Sequence, residues 1–92
     1  MIVSFAHKGL ERFFLTGSKS GIMVEHAARL QIILTRLHGA AAASDMNMPG
    51  FRLHALKGDM KTYWSVTVSG NWRVIFKFTR EGVELVNYLD YH

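Results

Sequence analysis

The chain is 92 residues long, sets 11 Lys and Arg against 7 Asp and Glu for a formal charge of +4, and has no cysteine. That length makes one domain, with no room for a cofactor domain beside a substrate domain, and the missing cysteine excludes a disulfide scaffold, a thiolate metal site and a cysteine nucleophile together. A content of 49 % hydrophobic and 20 % charged residues excludes wholesale disorder, and no apolar run approaches the ~18 residues of a spanning helix.

The opening Met1-Ile2-Val3-Ser4-Phe5-Ala6-His7-Lys8 is too short and too mixed for a signal peptide, so the expected compartment is the cytoplasm. Within it, Ile2 to Phe5 reads as a short first strand. Lys8 to Leu15 then places Leu10, Phe13 and Phe14 at helical spacing, with Gly17 as the stop. Gly9 inside that segment costs a helix ~1 kcal/mol. After a Lys19-Ser20-Gly21 loop, Val24 to His38 is the clearest helix. Ala27, Leu30, Ile33, Leu34 and Leu37 make one apolar stripe, and Glu25 and Arg29 form an i,i+4 pair in the favourable order. His26 is read as facing solvent, and His38 as suiting the negative end of the helix before Gly39. Ser44 to Met48 adds a helical turn ahead of Pro49-Gly50.

From Phe51 onward the pattern is strand. Phe51 to Leu56 alternates, Lys57-Gly58-Asp59 turns, and Tyr63 to Val68 and Trp72 to Phe78 flank a hairpin loop. Arg80-Glu81-Gly82 turns again before a last strand from Val83 to His92. The register follows from burial, because a slip of one residue exchanges the two faces of a strand. Pairing Val68 with Trp72 puts Trp64, Val66, Val68, Trp72, Val74 and Phe76 on one face, and Tyr63, Ser65, Thr67, Arg73, Ile75 and Lys77 on the other. Pairing Phe78 with Val83 sets Lys77 opposite Glu84, a favourable cross-strand pair. Continued to the end, it sends Leu85 and Leu89 to the apolar face and Val86, Tyr88, Asp90 and His92 to the polar one. The fold class is therefore α+β, with two N-terminal helices packed on one face of a small antiparallel sheet. The opposite face collects Arg52, His54, Arg73, Lys77, Asp90 and His92, with Lys57 on a bordering loop.

The cationic excess favours an anionic partner, either nucleic acid or an acidic protein that shields a basic site. No phosphate-binding glycine loop, zinc-protease helix or Gly-x-Ser-x-Gly elbow is present. Two imidazoles and a carboxylate, His54, His92 and Asp90, suit general acid–base work near neutral pH. Arg73 and Lys57 suit a phosphate and the charge that develops on it. Together they are the equipment for RNA cleavage that needs no cofactor, since the ribose 2′-OH supplies the nucleophile. Tyr63, Tyr88 and Tyr91 are candidates for stacking on bases, whereas Trp64 and Trp72 read as core. The same His and Asp residues match a non-haem iron ligand set, but no pair among them has ligand-motif spacing.

The blocks Leu53-His54-Ala55-Leu56-Lys57-Gly58, Asn71-Trp72-Arg73 and Asp90-Tyr91-His92, together with the opening Ser4-Phe5 and Lys8-Gly9-Leu10, resemble the HigB toxins, a branch of the RelE/ParE toxin superfamily. The resemblance covers essentially the whole chain. It implies the RelE-like microbial ribonuclease fold and a ribosome-dependent endoribonuclease that cuts messenger RNA in the small-subunit decoding site. It also implies a HigA-like helix-turn-helix antitoxin, with operator DNA bound only through the complex, and no membrane partner. The family's active-site residues carry over onto His54, Lys57, Arg73, Asp90, Tyr91 and His92. Tyr91 is the exception to the alternation argument, which turns it toward the core. Gly39 to Gly50 is the variable stretch, expected to bear on the antitoxin contact. A gyrase-inhibiting toxin of the ParE type and a plain RNA-binding module are the alternatives.

Overall fold

The computed structural model describes residues 1–91, so the expectation for His92 lies outside the described residues. The first helix, α1, spans Lys8–Thr16. His7 caps it, its Nδ1 accepting the Leu10 N–H at 2.9 Å, and Gly17 ends it in the left-handed conformation with φ +80. Leu10 and Phe13 are buried. Gly9 has a specific reason to lack a side chain: the backbone of Gly21 lies directly against its Cα.

Helix α2, Ala27–Gly39, follows a 3₁₀ turn at Val24–His26. The expected stripe of Ala27, Leu30, Ile33, Leu34 and Leu37 is buried throughout. Truncating any of the four long side chains to Ala removes about 2–5 kcal/mol. Two expectations for this region are corrected. His26 does not face solvent; it is buried, with Nδ1 hydrogen-bonded to the Tyr88 hydroxyl at 2.6 Å. Arg29 does not serve a helical pair with Glu25. It crosses the Phe51 ring at 4.8 Å and donates to the Gly50 carbonyl at 2.7 Å and the Thr67 carbonyl at 3.1 Å. A guanidinium spent on two carbonyls ties the loop ahead of the sheet to the sheet itself. The helical turn expected after α2 is a 3₁₀ turn at Ala43–Met46, with Met46 fully buried and the Asp45 carboxylate accepting from the Ala41 and Ala42 amides.

Four strands follow, β1 (His54–Ala55), β2 (Trp64–Ser69), β3 (Trp72–Thr79) and β4 (Gly82–Asp90), in the antiparallel order β1-β2-β3-β4. The strand expected over Phe51–Leu56 is reduced to two residues, because Arg52 turns left-handed at φ +53 and breaks the extension. Between β2 and β3 the expected register holds for Trp64↔Phe76, Ser65↔Ile75, Val66↔Val74 and Thr67↔Arg73. The expected Val68–Trp72 pair is corrected: a bulge at Val68 pairs Ser69 with Trp72, so the hairpin closes on the two residues Gly70-Asn71 and not on three, Ser69 to Asn71, while the segregated faces are kept. Val66, Val74 and Phe76 are inaccessible and share one core with Leu30, Ile33, Leu34 and Leu37, and Trp64 and Trp72 pack at its edge.

The β3–β4 ladder opens as expected, with Phe78↔Val83 and Lys77↔Glu84. It then shifts. Ile75 pairs with Asn87 and Arg73 with Leu89, and Leu85 sits at the shift with φ +54. The extra residue inverts the alternation. Val86 and Tyr88 are buried on the core side, while Leu85 is exposed. The expected placement of Val86, Tyr88 and Asp90 on the polar face, and of Leu85 and Leu89 on the apolar face, is therefore corrected. Tyr88 is also lost as a base-stacking candidate, because it packs on Trp72 with ring centroids 4.8 Å apart. The short first strand exists as parallel bridges, Ile2↔Val83 and Phe5↔Val86, along the outer edge of β4.

Candidate active site

The sheet face turned away from the helices is not uniformly polar: Ser65 and Ile75 at its centre are buried. Beside them lies an open basin of about 490 Å³. The sheet supplies its floor through Ser65 and Thr67 of β2 and Arg73 of β3. His54 enters from β1, directly opposite Ser65. Lys57 stands at the start of the 3₁₀ turn Gly58–Met60, after Leu56, and Arg52 comes from the left-handed corner before β1. Tyr91 closes the far wall.

Each of these positions has a local cause. Arg73 is opposite Thr67 and Leu89 in the ladder, and its Nη1 donates to the carbonyls of Gly70 at 2.6 Å and Trp72 at 3.1 Å. A guanidinium carries five N–H donors in a rigid plane, so these two bonds fix its orientation. Thr67 is locked from both sides, its amide donating to the Phe51 carbonyl at 2.7 Å and its carbonyl accepting from Arg29. That lock also holds the corner bearing Arg52. Tyr91 is tied down as well, its amide donating to the Asn71 carbonyl at 2.8 Å.

Of the six residues singled out from sequence, the basin gathers His54, Lys57, Arg73 and Tyr91. The Leu85 shift explains Tyr91, which strict alternation had turned inward. The same shift moves Asp90: it pairs with Trp72 on the core-side parity of β4, exposed at the strand end and not among the basin's lining residues. Arg52, Ser65 and Thr67 were placed on this face by alternation without being assigned to the site. Three cations and an imidazole around one open cavity make a receptor for a polyanion. His54, exposed at the basin, has the chemistry to exchange a proton there. Among the described residues, no three His, Asp or Glu side chains gather as a metal-ligand set.

Comparison with known proteins identifies the family. Residues 3–92 match the family model of the RelE-like toxin of type II toxin-antitoxin system HigB. The chain belongs to the HigB-like toxins. This is a family of type II toxin endoribonucleases: the chain is 40 % identical, over the full length of both proteins, to Endoribonuclease HigB of Proteus vulgaris. It is 32 % identical to Toxin HigB-1 of Vibrio cholerae serotype O1, covering all of this chain and 98 % of that one. Among solved structures, the YoeB/ParE toxin from Agrobacterium tumefaciens aligns over 99 % of this chain and 96 % of its own with a TM-score of 0.51 and 22 % identity, which establishes a shared fold. A HigB-like toxin belongs to a toxin–antitoxin pair, so an antitoxin partner follows from membership. No helix among the described residues is long and apolar enough to cross a membrane.

Proposed function

We propose that this HigB-like toxin is a ribosome-dependent endoribonuclease that cuts messenger RNA in the small-subunit decoding site, acting in the cytoplasm. The observation that carries the reading is the meeting of His54, Lys57, Arg73 and Tyr91 in one open basin. RNA carries its own nucleophile. Removal of the 2′-OH proton lets that oxygen attack the adjacent phosphorus, and the leaving 5′ oxygen takes a proton as its bond to phosphorus breaks. His54 accepts the first proton, and His92 donates the second. Asp90, which precedes Tyr91 at the end of β4, assists the proton transfer from outside the basin lining. Arg73 and Lys57 neutralise the phosphorane, with Arg52 adding charge along the strand, and Tyr91 stacks on or orients the RNA. The ribose and the side chains supply both proton transfers, so the scheme calls for no metal or cofactor. A HigA-like helix-turn-helix antitoxin neutralises the toxin, and operator DNA is reached through that complex.

The test is expression without antitoxin of the wild type, His54→Ala, Tyr91→Ala and a chain lacking only His92. Loss of one proton-transfer group lowers cleavage by roughly 10²–10⁴-fold, with the circular dichroism spectrum unchanged. Cleavage should fall within translated messages and vanish when initiation is blocked. Broken chromosomal DNA with intact messages would instead place the chain with gyrase inhibitors, and RNA binding without cleavage would make it a binding module.

A further inference from the structure

The proposed chemistry leaves the opening Ser4-Phe5 without a role, and it leaves Leu85 unexplained. Leu85 holds φ +54 in the left-handed region, which a bulky L residue seldom adopts. Across the sheet edge, the Ser4 hydroxyl accepts the Leu85 N–H at 2.8 Å, a contact spanning 81 residues of sequence. The Ser4 carbonyl accepts the next amide, Val86, at 3.2 Å. One serine thus receives both consecutive N–H groups of the β4 bulge, and the Leu85 amide has no strand partner to replace it.

That bulge decides what the end of the chain presents. Before it the ladder runs Phe78↔Val83 and Lys77↔Glu84; after it, Ile75↔Asn87 and Arg73↔Leu89. Carried through without the extra residue, the first register would put Asp90 on the basin side and Tyr91 toward the core. With it, positions 87, 89 and 91 share the side of Arg73, and Tyr91 lines the basin. We propose that Ser4 is a positioning residue of the active site: its hydroxyl holds the Leu85 bulge and so steadies the stretch of β4 after it, in the phase that buries Val86 and Tyr88 and brings Tyr91 to the basin. The proposal rests on the nuclease reading for its effect on cleavage, though not for its effect on β4.

Burial of Val86 and Tyr88 keeps the strand docked without Ser4, so Ser4→Ala folds. What it loses is the definition of the strand beyond the bulge. Misplacement of a catalytic group by an ångström costs up to about 10²-fold. The expected result is a fall of roughly 10-fold in kcat for cleavage on ribosomes, with KM unchanged. Ser4→Thr, which keeps the hydroxyl, restores kcat. So does Leu85→Gly added to Ser4→Ala, because glycine takes a positive φ without support. Amide hydrogen exchange supplies a readout independent of activity. Tyr91 should exchange faster in Ser4→Ala and recover its protection in the double variant. Full kcat and unchanged Tyr91 exchange in Ser4→Ala would overturn the proposal. So would a kcat loss that follows thermal stability and that Leu85→Gly fails to rescue. If the wild type cuts no RNA, the nuclease reading fails alone, and the exchange pattern still decides the role of Ser4.

Discussion

Gly9→Ala separates local helix preference from packing, because the two disagree in sign. Judged by propensity, alanine inside α1 should stabilise the protein by about 1 kcal/mol. The structure opposes this. A Cβ on Gly9 would stand 2.7 Å from the Cα and 2.8 Å from the carbonyl carbon of Gly21, and closer still to the Gly21 carbonyl oxygen. These are main-chain atoms, which no rotamer change can move aside. Overpacking costs typically 1–3 kcal/mol, and contact with rigid backbone belongs at the upper end, so the net loss should be about 2 kcal/mol. For a domain of this size each kcal/mol moves Tm by roughly 4–8 °C, so thermal unfolding followed by circular dichroism should show a fall of about 8–16 °C. Gly39→Ala is the matched control. It lies in the last position of α2 with nothing within 4 Å of its would-be Cβ, and it should gain up to about 1 kcal/mol. A Gly9→Ala protein melting at or above the wild-type temperature would refute the close approach of Gly9 and Gly21.

Tyr88→Phe leaves the buried His26 ring nitrogen without its hydroxyl partner and should cost about 1–2 kcal/mol in urea unfolding; an unchanged midpoint would mean that the bond contributes nothing net. Burial holds the pKa of His7 below its ordinary value of 6.5, so the unfolded chain takes that proton first. The contribution of His7 to stability is therefore complete above about pH 6.5 and is lost as pH falls from there toward the folded value. His7→Asn, which retains a capping acceptor, should remove that slope, and identical pH profiles for the two proteins would count against it. Arg73→Ala should reduce the salt dependence of binding to single-stranded RNA by about 0.7 in log–log slope. Arg80→Ala, in the exposed β3–β4 turn, should leave it unchanged, and equal losses would mean that overall charge does the binding.

The sequence made the helix stripe and the β2–β3 register legible for one reason: apolar side chains recur at the period of the element that buries them. The basin face followed, since alternation places Arg73 there once Trp72 points to the core and His54 there once Leu53 does. Legibility ended where the period changes without a marker. Nothing in Val83-Glu84-Leu85-Val86 announces a bulge, because its left-handed residue is a leucine and its stabilising acceptor, Ser4, lies at the other end of the chain. Alternation read straight through it therefore exchanged the sides of Tyr91 and Asp90. His26 was misplaced against its own spacing: it precedes Leu30 by four residues and Ile33 by seven, on the buried stripe, and its polar ring is accommodated there by the Tyr88 hydroxyl, a partner remote in sequence. Arg29 looked like half of a surface pair because the carbonyls it reaches, at Gly50 and Thr67, are remote in sequence.

The pairing of the first residues with the last strand has a consequence for how the molecule comes into being. Ile2 and Phe5 make their strand pairing with Val83 and Val86, so that pairing waits until β4 has been made. Closing a loop of that span carries a large entropic cost before any contact repays it. Until then β4 can pair with β3 on one side, but its outer edge at Val83 and Val86 has no neighbour and the Leu85 amide lacks its Ser4 acceptor. The growing chain can therefore assemble the part of the basin supplied by residues 52–73 first, and the wall at Tyr91 is completed last, once residues 2–5 line the edge of β4.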